Sequence, residues 1–317
     1  MNNSILVVIL ASAVFYGTPL FFAALGGVFA ERSGVLNLGT EGMMLLGAVA
    51  GAATAAHVDG PKAWVLFVSL LAAMLAGGLG ALLHAFAVVT LRVNQTVSGL
   101  ALTILAGGAG LSSYLAKIWT VDRTPVSFNR LDLFGLGDMA VLGPIVFDQN
   151  LLTYLSWLVC GVASWYLFRT RPGLHLRAVG ESPQTADAAG ISVVKYRYVH
   201  TVLGGMLAGV GGAYVSLAMN STWSDGITGG IGWIAIALVI FGFWRPDLTL
   251  VGSYLFGAFT SLNFVLQTRG VKIAPQILSS LPYVMTIVVL VAVSAGWSRK
   301  RVGAPAALGV PYEREER

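Results

Sequence analysis

The side chains able to do chemistry in this 317-residue chain are few, and their spacing excludes the common enzymatic sites. The four histidines, His57, His84, His175 and His200, form no H-x-x-x-H or H-E-x-x-H pair, so no helix face offers two imidazoles to a metal. Cys160 is the only thiol and lies in an apolar run, which rules out a disulfide framework and a cysteine-based metal site and leaves packing as its ordinary role. No glycine is followed by lysine, so the chain lacks the G-x-x-x-x-G-K-[ST] loop that cradles nucleotide phosphates. No catalytic or metal-binding residue is expected, and no cofactor within this chain.

Two polar groupings interrupt apolar sequence. The run 31–42, ERSGVLNLGTEG, carries Asn37 and Glu41 into the start of a hydrophobic segment. A carboxylate within a membrane helix is expensive and ordinarily faces protein or a water-filled path, whereas a place near the interface would cost Glu41 little. Gly34, Gly39 and Gly42 weaken a helix here, so a break is expected, of the kind tolerated where backbone lines a cavity. The run 92–98, RVNQTVS, brings Asn94, Gln95 and Thr96 into another apolar segment. These side chains can hydrogen-bond a neutral polar solute, and can equally cap a helix or bond to neighbouring helices.

The third grouping is the loop 169–197, the one long polar stretch between apolar runs. Ser182 suits an N-cap, Pro183 the first helical position and Gly190 a left-handed C-terminal position, which leaves about seven helical residues, or ~10 Å. A helix this short does not stand alone in water and needs neighbouring spans or a partner. Read blandly, it is only a surface turn.

The elements that must position these groups are membrane helices. The chain is 56% hydrophobic and 10% charged, against roughly 25% charged in soluble domains. Nine hydrophobic spans are expected, near 5–24, 35–56, 64–89, 97–116, 151–168, 199–219, 230–243, 248–267 and 278–297. The fold class is all-α, a polytopic membrane protein with a single domain over 1–298 and a short tail, 299–317, expected to be disordered and cytoplasmic. The first span has no basic region before it and reads as an uncleaved membrane helix. The loop 169–197 holds Arg169, Arg171, Arg177, Lys195 and Arg197, and the tail begins Arg299-Lys300-Arg301, so both are expected in the cytoplasm, with the N-terminus outside. The net charge of +5 reports orientation in a bilayer and not nucleic-acid binding. G-x-x-x-G pairs at Gly47–Gly51, Gly205–Gly209 and Gly226–Gly230 are expected to serve close packing within the chain.

Four runs together resemble a known family: 31–48 (ERSGVLNLGTEGMMLLGA), 93–99 (VNQTVSG), 177–191 (RAVGESPQTADAAGI), and 234–242 (IAIALVIFG) with Trp244-Arg245-Pro246. They are similar to permease subunits of bacterial ABC importers, in the nucleoside and simple-sugar branch of the superfamily that includes ribose-type and branched-chain amino-acid permeases, with a type II importer-like fold. The resemblance covers about residues 5–297. It implies a half-transporter of the bacterial inner membrane that works with cytoplasmic ATPase subunits, which bind the ATP, with an extracytoplasmic solute-binding protein, and with a second permease, longer or identical. It implies that the helix near 181–189 couples to the ATPase, with Glu181, Gln184 and Asp187 supplying contacts and Ser182, Pro183 and Gly190 holding the shape. Asn37, Glu41, Asn94, Gln95 and Thr96 are the residues expected along the solute path. The competing readings are an ion-coupled secondary transporter, which would lean on Glu41, and a non-transporting membrane scaffold.

Overall fold

A computed structural model describes residues 5–268 apart from 108–109, 120 and 122–125, isolated positions between 280 and 291, and residues 303–313. The helices are α1 (Ile5–Arg32), α2 (Thr40–His57), α3 (Lys62–Ala85), α4 (Gln95–Ala106), α5 (Leu111–Ile118), α6 (Leu151–Arg169), α7 (Arg171–Glu181), α8 (Pro183–Ala188), α9 (Val193–Tyr214), α10 (Ile231–Phe241) and α11 (Pro246–Thr268). π-helical turns extend α3 over Phe86–Thr90 and α9 over Val215–Met219. A small antiparallel pair, β1 (Arg130–Asp132) and β2 (Asp148–Asn150), closes the loop before α6.

Six helical stretches among the described residues are long and apolar enough to cross a bilayer: Ile5–Arg32, Lys62–Thr90, Gln95–Ile118, Leu151–Arg169, Val193–Met219 and Pro246–Thr268. They correspond to six of the nine expected spans. Of the other three, two correspond to helices outside that set and one is mostly not described. The span expected at 35–56 is α2, which is buried over nearly its whole length; it is rich in Ala, Gly and Thr, with Glu41 near its start and His57 at its end, and falls outside the six. The span expected at 230–243 is α10, an apolar helix of only 11 residues, or ~16 Å. The span expected at 278–297 lies almost wholly outside the described residues.

Side chains are sorted for lipid rather than water. α3 turns Ser69, Ala73, Gly77, Ala81 and His84 inward and leaves Phe67, Leu71, Leu75, Leu79, Leu82 and Leu83 exposed. Small residues on the inner face let backbones approach, which is how helices associate when the surrounding solvent is itself apolar. α9 is the hub and packs on α1, α2 and α3. A Cβ on Gly47 of α2 would stand 2.5 Å from the Gly209 carbonyl oxygen of α9, so the glycine pairs of 47–51 and 205–209 are spent inside the chain. Gly226–Gly230 does not belong with them, because Gly226, Gly229 and Gly230 all have positive φ and form turns before α10.

One end of the bundle gathers Arg32, Arg92, the 169–197 segment, Arg245 and residues 303–313, and is called the basic end below. Within the tail, residues 303–313 are packed where a disordered end was expected. Residues 303–313 pack across the basic end, because two buried guanidiniums take their acceptors from its carbonyls. Arg32 Nη1 donates to Gly303 O at 3.3 Å and Arg197 Nη1 to Val310 O at 3.1 Å.

Candidate functional site

The 169–197 segment folds as two helices where one was expected. Thr170 caps α7, its side chain accepting from Gly173 N at 3.2 Å, with Pro172 in the first turn. α7 buries Leu176 and Val179 and ends at Glu181. The chain then turns at Ser182, whose Oγ accepts from Thr185 N at 3.4 Å and caps α8; Pro183 occupies the first turn. At the other end Gly190 (φ 80°) adopts the left-handed conformation, Gly190 N donates to Asp187 O at 2.9 Å and Ile191 N to Ala186 O at 2.9 Å. This is a Schellman ending, which satisfies the last carbonyls and needs a residue free of Cβ strain.

The six residues of α8 are held from beneath. Pro183 and Ala186 are buried, and Ala186 joins Val179 of α7, Val193 of α9, Ile191 and Tyr312 in a small apolar cluster. The tail fastens the same place, Ala307 N donating to Gly180 O at 2.9 Å and Ala306 N to Glu181 Oε2 at 3.3 Å. Gln184, Thr185, Ala188, Ala189 and Gly190 form the exposed face; Ser182 and Asp187 are half-buried.

Deeper in the bundle, the sequence run 31–42 does break. Residues 33–39 are not helical and are largely buried. Asn37 is a turn-former: Oδ1 accepts from Gly39 N at 3.1 Å and Nδ2 contacts Met43 Sδ at 3.5 Å. Gln95 Oε1 accepts from Leu36 N at 2.6 Å, and His84 Nε2 lies 3.1 Å from Leu36 O, so α3 and α4 supply partners for the broken backbone. Asn94 caps α4, Oδ1 accepting from Val97 N at 3.1 Å, and is exposed, as is Thr96. The structure thus brings Asn37, Glu41 and Gln95 to one buried region and leaves Asn94 and Thr96 on the surface at its edge.

Glu41 caps another element altogether. Its Oε1 accepts from Thr228 Oγ1 at 2.6 Å and Gly230 N at 3.0 Å, and its Oε2 from Gly232 N at 2.6 Å. The carboxylate therefore satisfies the unbonded N–H groups at the start of α10, where the helix dipole favours negative charge. The far end of α10 is held by the neighbours of Glu41 in sequence. Phe243 and Trp244 both have positive φ (51° and 54°), a conformation unfavourable for bulky residues. Arg32 donates to both of their carbonyls, Nη2 to Phe243 at 3.3 Å and Nε to Trp244 at 3.1 Å, while Glu31 Oε2 accepts from Trp244 Nε1 at 2.7 Å. The 31–42 run thus clamps both ends of a half-length helix. Thr228 was not singled out from the sequence, and Gly230 and Trp244 were read there only as part of a packing pair and of a family motif; the cue available for the clamp was a helical run too short to span, bounded by a glycine cluster and a Trp-Arg-Pro stop.

A half-length helix clamped at both ends by a broken buried segment, and a short capped helix standing out at the basic end, are the features of this helical membrane protein that the comparisons place in a class: the transport permeases. The chain matches the family described as branched-chain amino acid transport system / permease component over residues 9–294, and it belongs to that family. It is 39% identical to the nucleoside ABC transporter permease protein NupC of Lactococcus lactis over 96% of each chain. It is 36% identical to the guanosine ABC transporter permease protein NupQ of Bacillus subtilis, covering 99% of this chain and 98% of that one. It is 37% identical to the putative glucose ABC transporter permease protein TsgC13 of Haloferax volcanii, covering 97% and 98%. No solved structure matches the chain. The protein is a membrane permease subunit of the ABC transporter type and not a catalytic enzyme.

Proposed function

We propose that this chain forms half of the path of an ATP-driven importer of nucleosides or simple sugars, in the cell membrane with its basic end in the cytoplasm. The cargo class rests on the relatives, whose names give nucleosides, guanosine and glucose. The orientation rests on the cationic residues gathered at one end. Partners are an ATPase subunit at α8, a solute-binding protein at the opposite face and a second permease subunit across the path.

The observation that carries the reading is α8: capped at both ends, seated by Pro183 and Ala186, and presenting Gln184, Thr185, Ala188 and Ala189 to solvent between helices that run through the bundle. Closure of an ATPase dimer would push on that knob and pass the motion through α7 to α6 and directly to α9. Glu181 and Asp187 sit at its margins, with Glu181 committed in part to the tail. Ala186 is beneath the helix, so a bulky residue there would unseat α8 rather than block docking; Ala188→Trp places the bulk on the outer face. In the reconstituted complex with its ATPase and binding protein, Ala188→Trp is expected to lower uptake about tenfold or more with normal membrane insertion, a loss of ~1.4 kcal/mol or more of coupling. Uptake that is unaltered, or that follows an ion gradient in the absence of the ATPase, would overturn the reading.

A further inference from the structure

The chain between α9 and α10 takes an unusual route. Leu217 packs with Ala55 of α2 and Val65 of α3, at the end opposite the basic one. Ile227 packs with Leu45 and Leu46 of α2, which lie ~14 Å further along that helix. Thr228, Gly230 and Gly232 then reach Glu41, ~6 Å beyond Leu45. The chain thus descends ~20 Å into the bundle without α-helix over 220–230. Among the described residues, the side chains of Asn220, Thr222, Ser224 and Asp225 are exposed and make no hydrogen bond, and Trp223 is half-exposed. Asp225 is the one formal charge between Arg197 and Arg245.

A polar, non-helical segment cannot face lipid at that depth, because neither its backbone nor a carboxylate finds a partner in hydrocarbon. It has to border water or protein. We propose that 220–226 lines the half of the solute path that opens away from the basic end, and that it forms a recognition wall for a neutral, hydroxyl-rich ring. The wall supplies an aromatic face from Trp223, acceptors for vicinal hydroxyls from Asp225, and donors and acceptors from Asn220, Thr222 and Ser224. A ribose or a hexose presents that chemistry. The descent also explains the clamp on α10: Glu41 fixes the lower end of the wall.

This inference rests on the transport reading, and its test separates the two. Ser224→Cys and Thr222→Cys are made separately in the complex, where buried Cys160 leaves the parent as the blank. A membrane-impermeant cationic methanethiosulfonate is applied from the side opposite the ATPase, with guanosine, adenosine or glucose as protectant. Modification is expected at both positions, slowed by the transported compound and lowering uptake about tenfold. Trp223→Ala is expected to raise KM for uptake about tenfold, with Trp223→Phe closer to the parent. Protection by nucleosides and not glucose identifies the ribose-bearing class, and the reverse identifies the hexose. Absence of modification at both positions, which a covering second subunit would produce, overturns the wall, as does modification that leaves uptake intact. If the parent shows no ATP-driven uptake, the transport reading itself fails before the variants are compared.

Discussion

Glu41 shows how little of a side chain's role is local. From sequence it is the tempting carboxylate of an ion-coupled transporter; in the fold both of its oxygens accept hydrogen bonds from the start of α10, 187 to 191 residues away. Removing it leaves buried donors unpartnered, at about 1–3 kcal/mol for each such group. Glu41→Ala is therefore expected to lower the detergent melting temperature of the chain by several degrees. Glu41→Gln is expected to fall between, since its amide keeps one acceptor but turns an NH2 toward backbone donors. A Glu41→Gln protein with a parental melting curve and uptake newly insensitive to an ion gradient would restore the ion-coupling role. Nothing in the run ERSGVLNLGTEG announces these partners. The capping roles of Ser182 and Gly190, by contrast, were readable, because a cap's partners lie within four residues of it; Asn94, expected along the solute path, caps α4.

At the scale of the element, α8 was legible and α7 was not. The signals of α8 are self-contained: Ser182 before Pro183 at the start, Gly190 at the stop. In α7, Pro172 and Gly173 look like loop residues, and only the Thr170 cap turns them into a first turn. The same ambiguity misplaced Gly226–Gly230, whose spacing matches helix packing but whose positive φ values make a descending turn. Gly190→Val is expected to lose ~1–2 kcal/mol of α8 stability, because a β-branched residue resists the left-handed conformation. Gly190→Asn, which tolerates that conformation, is expected to be nearly neutral. The measurement is solute-stimulated ATPase activity of the assembled complex, which should fall for Val and hold for Asn; equal activities would show that the shape of α8 is not what matters.

For the whole molecule, hydropathy found the six long helices because each carries an apolar stripe for lipid. Two further expected spans correspond to helices that fall short of that length or apolarity, α2 and α10. α2 is enclosed by neighbours and rich in Ala and Gly, and α10 is only 11 residues long. The tail was unreadable for a related reason: its carbonyls are required by Arg32 and Arg197, whose burial only the fold reveals. These parts converge on one surface, where α7, α9 and residues 303–313 meet under α8.

On the proposed reading, this surface receives the ATPase. Ala188→Cys, with buried Cys160 as the internal blank, can be joined by a short bifunctional maleimide to cysteines placed in turn around the candidate groove of the ATPase within the working complex. A crosslinked product is expected at one groove position, with a yield that changes between nucleotide-free and ATP-bound states. No crosslink at any groove position, in a complex that still takes up solute at the expense of ATP, would show that the ATPase docks elsewhere.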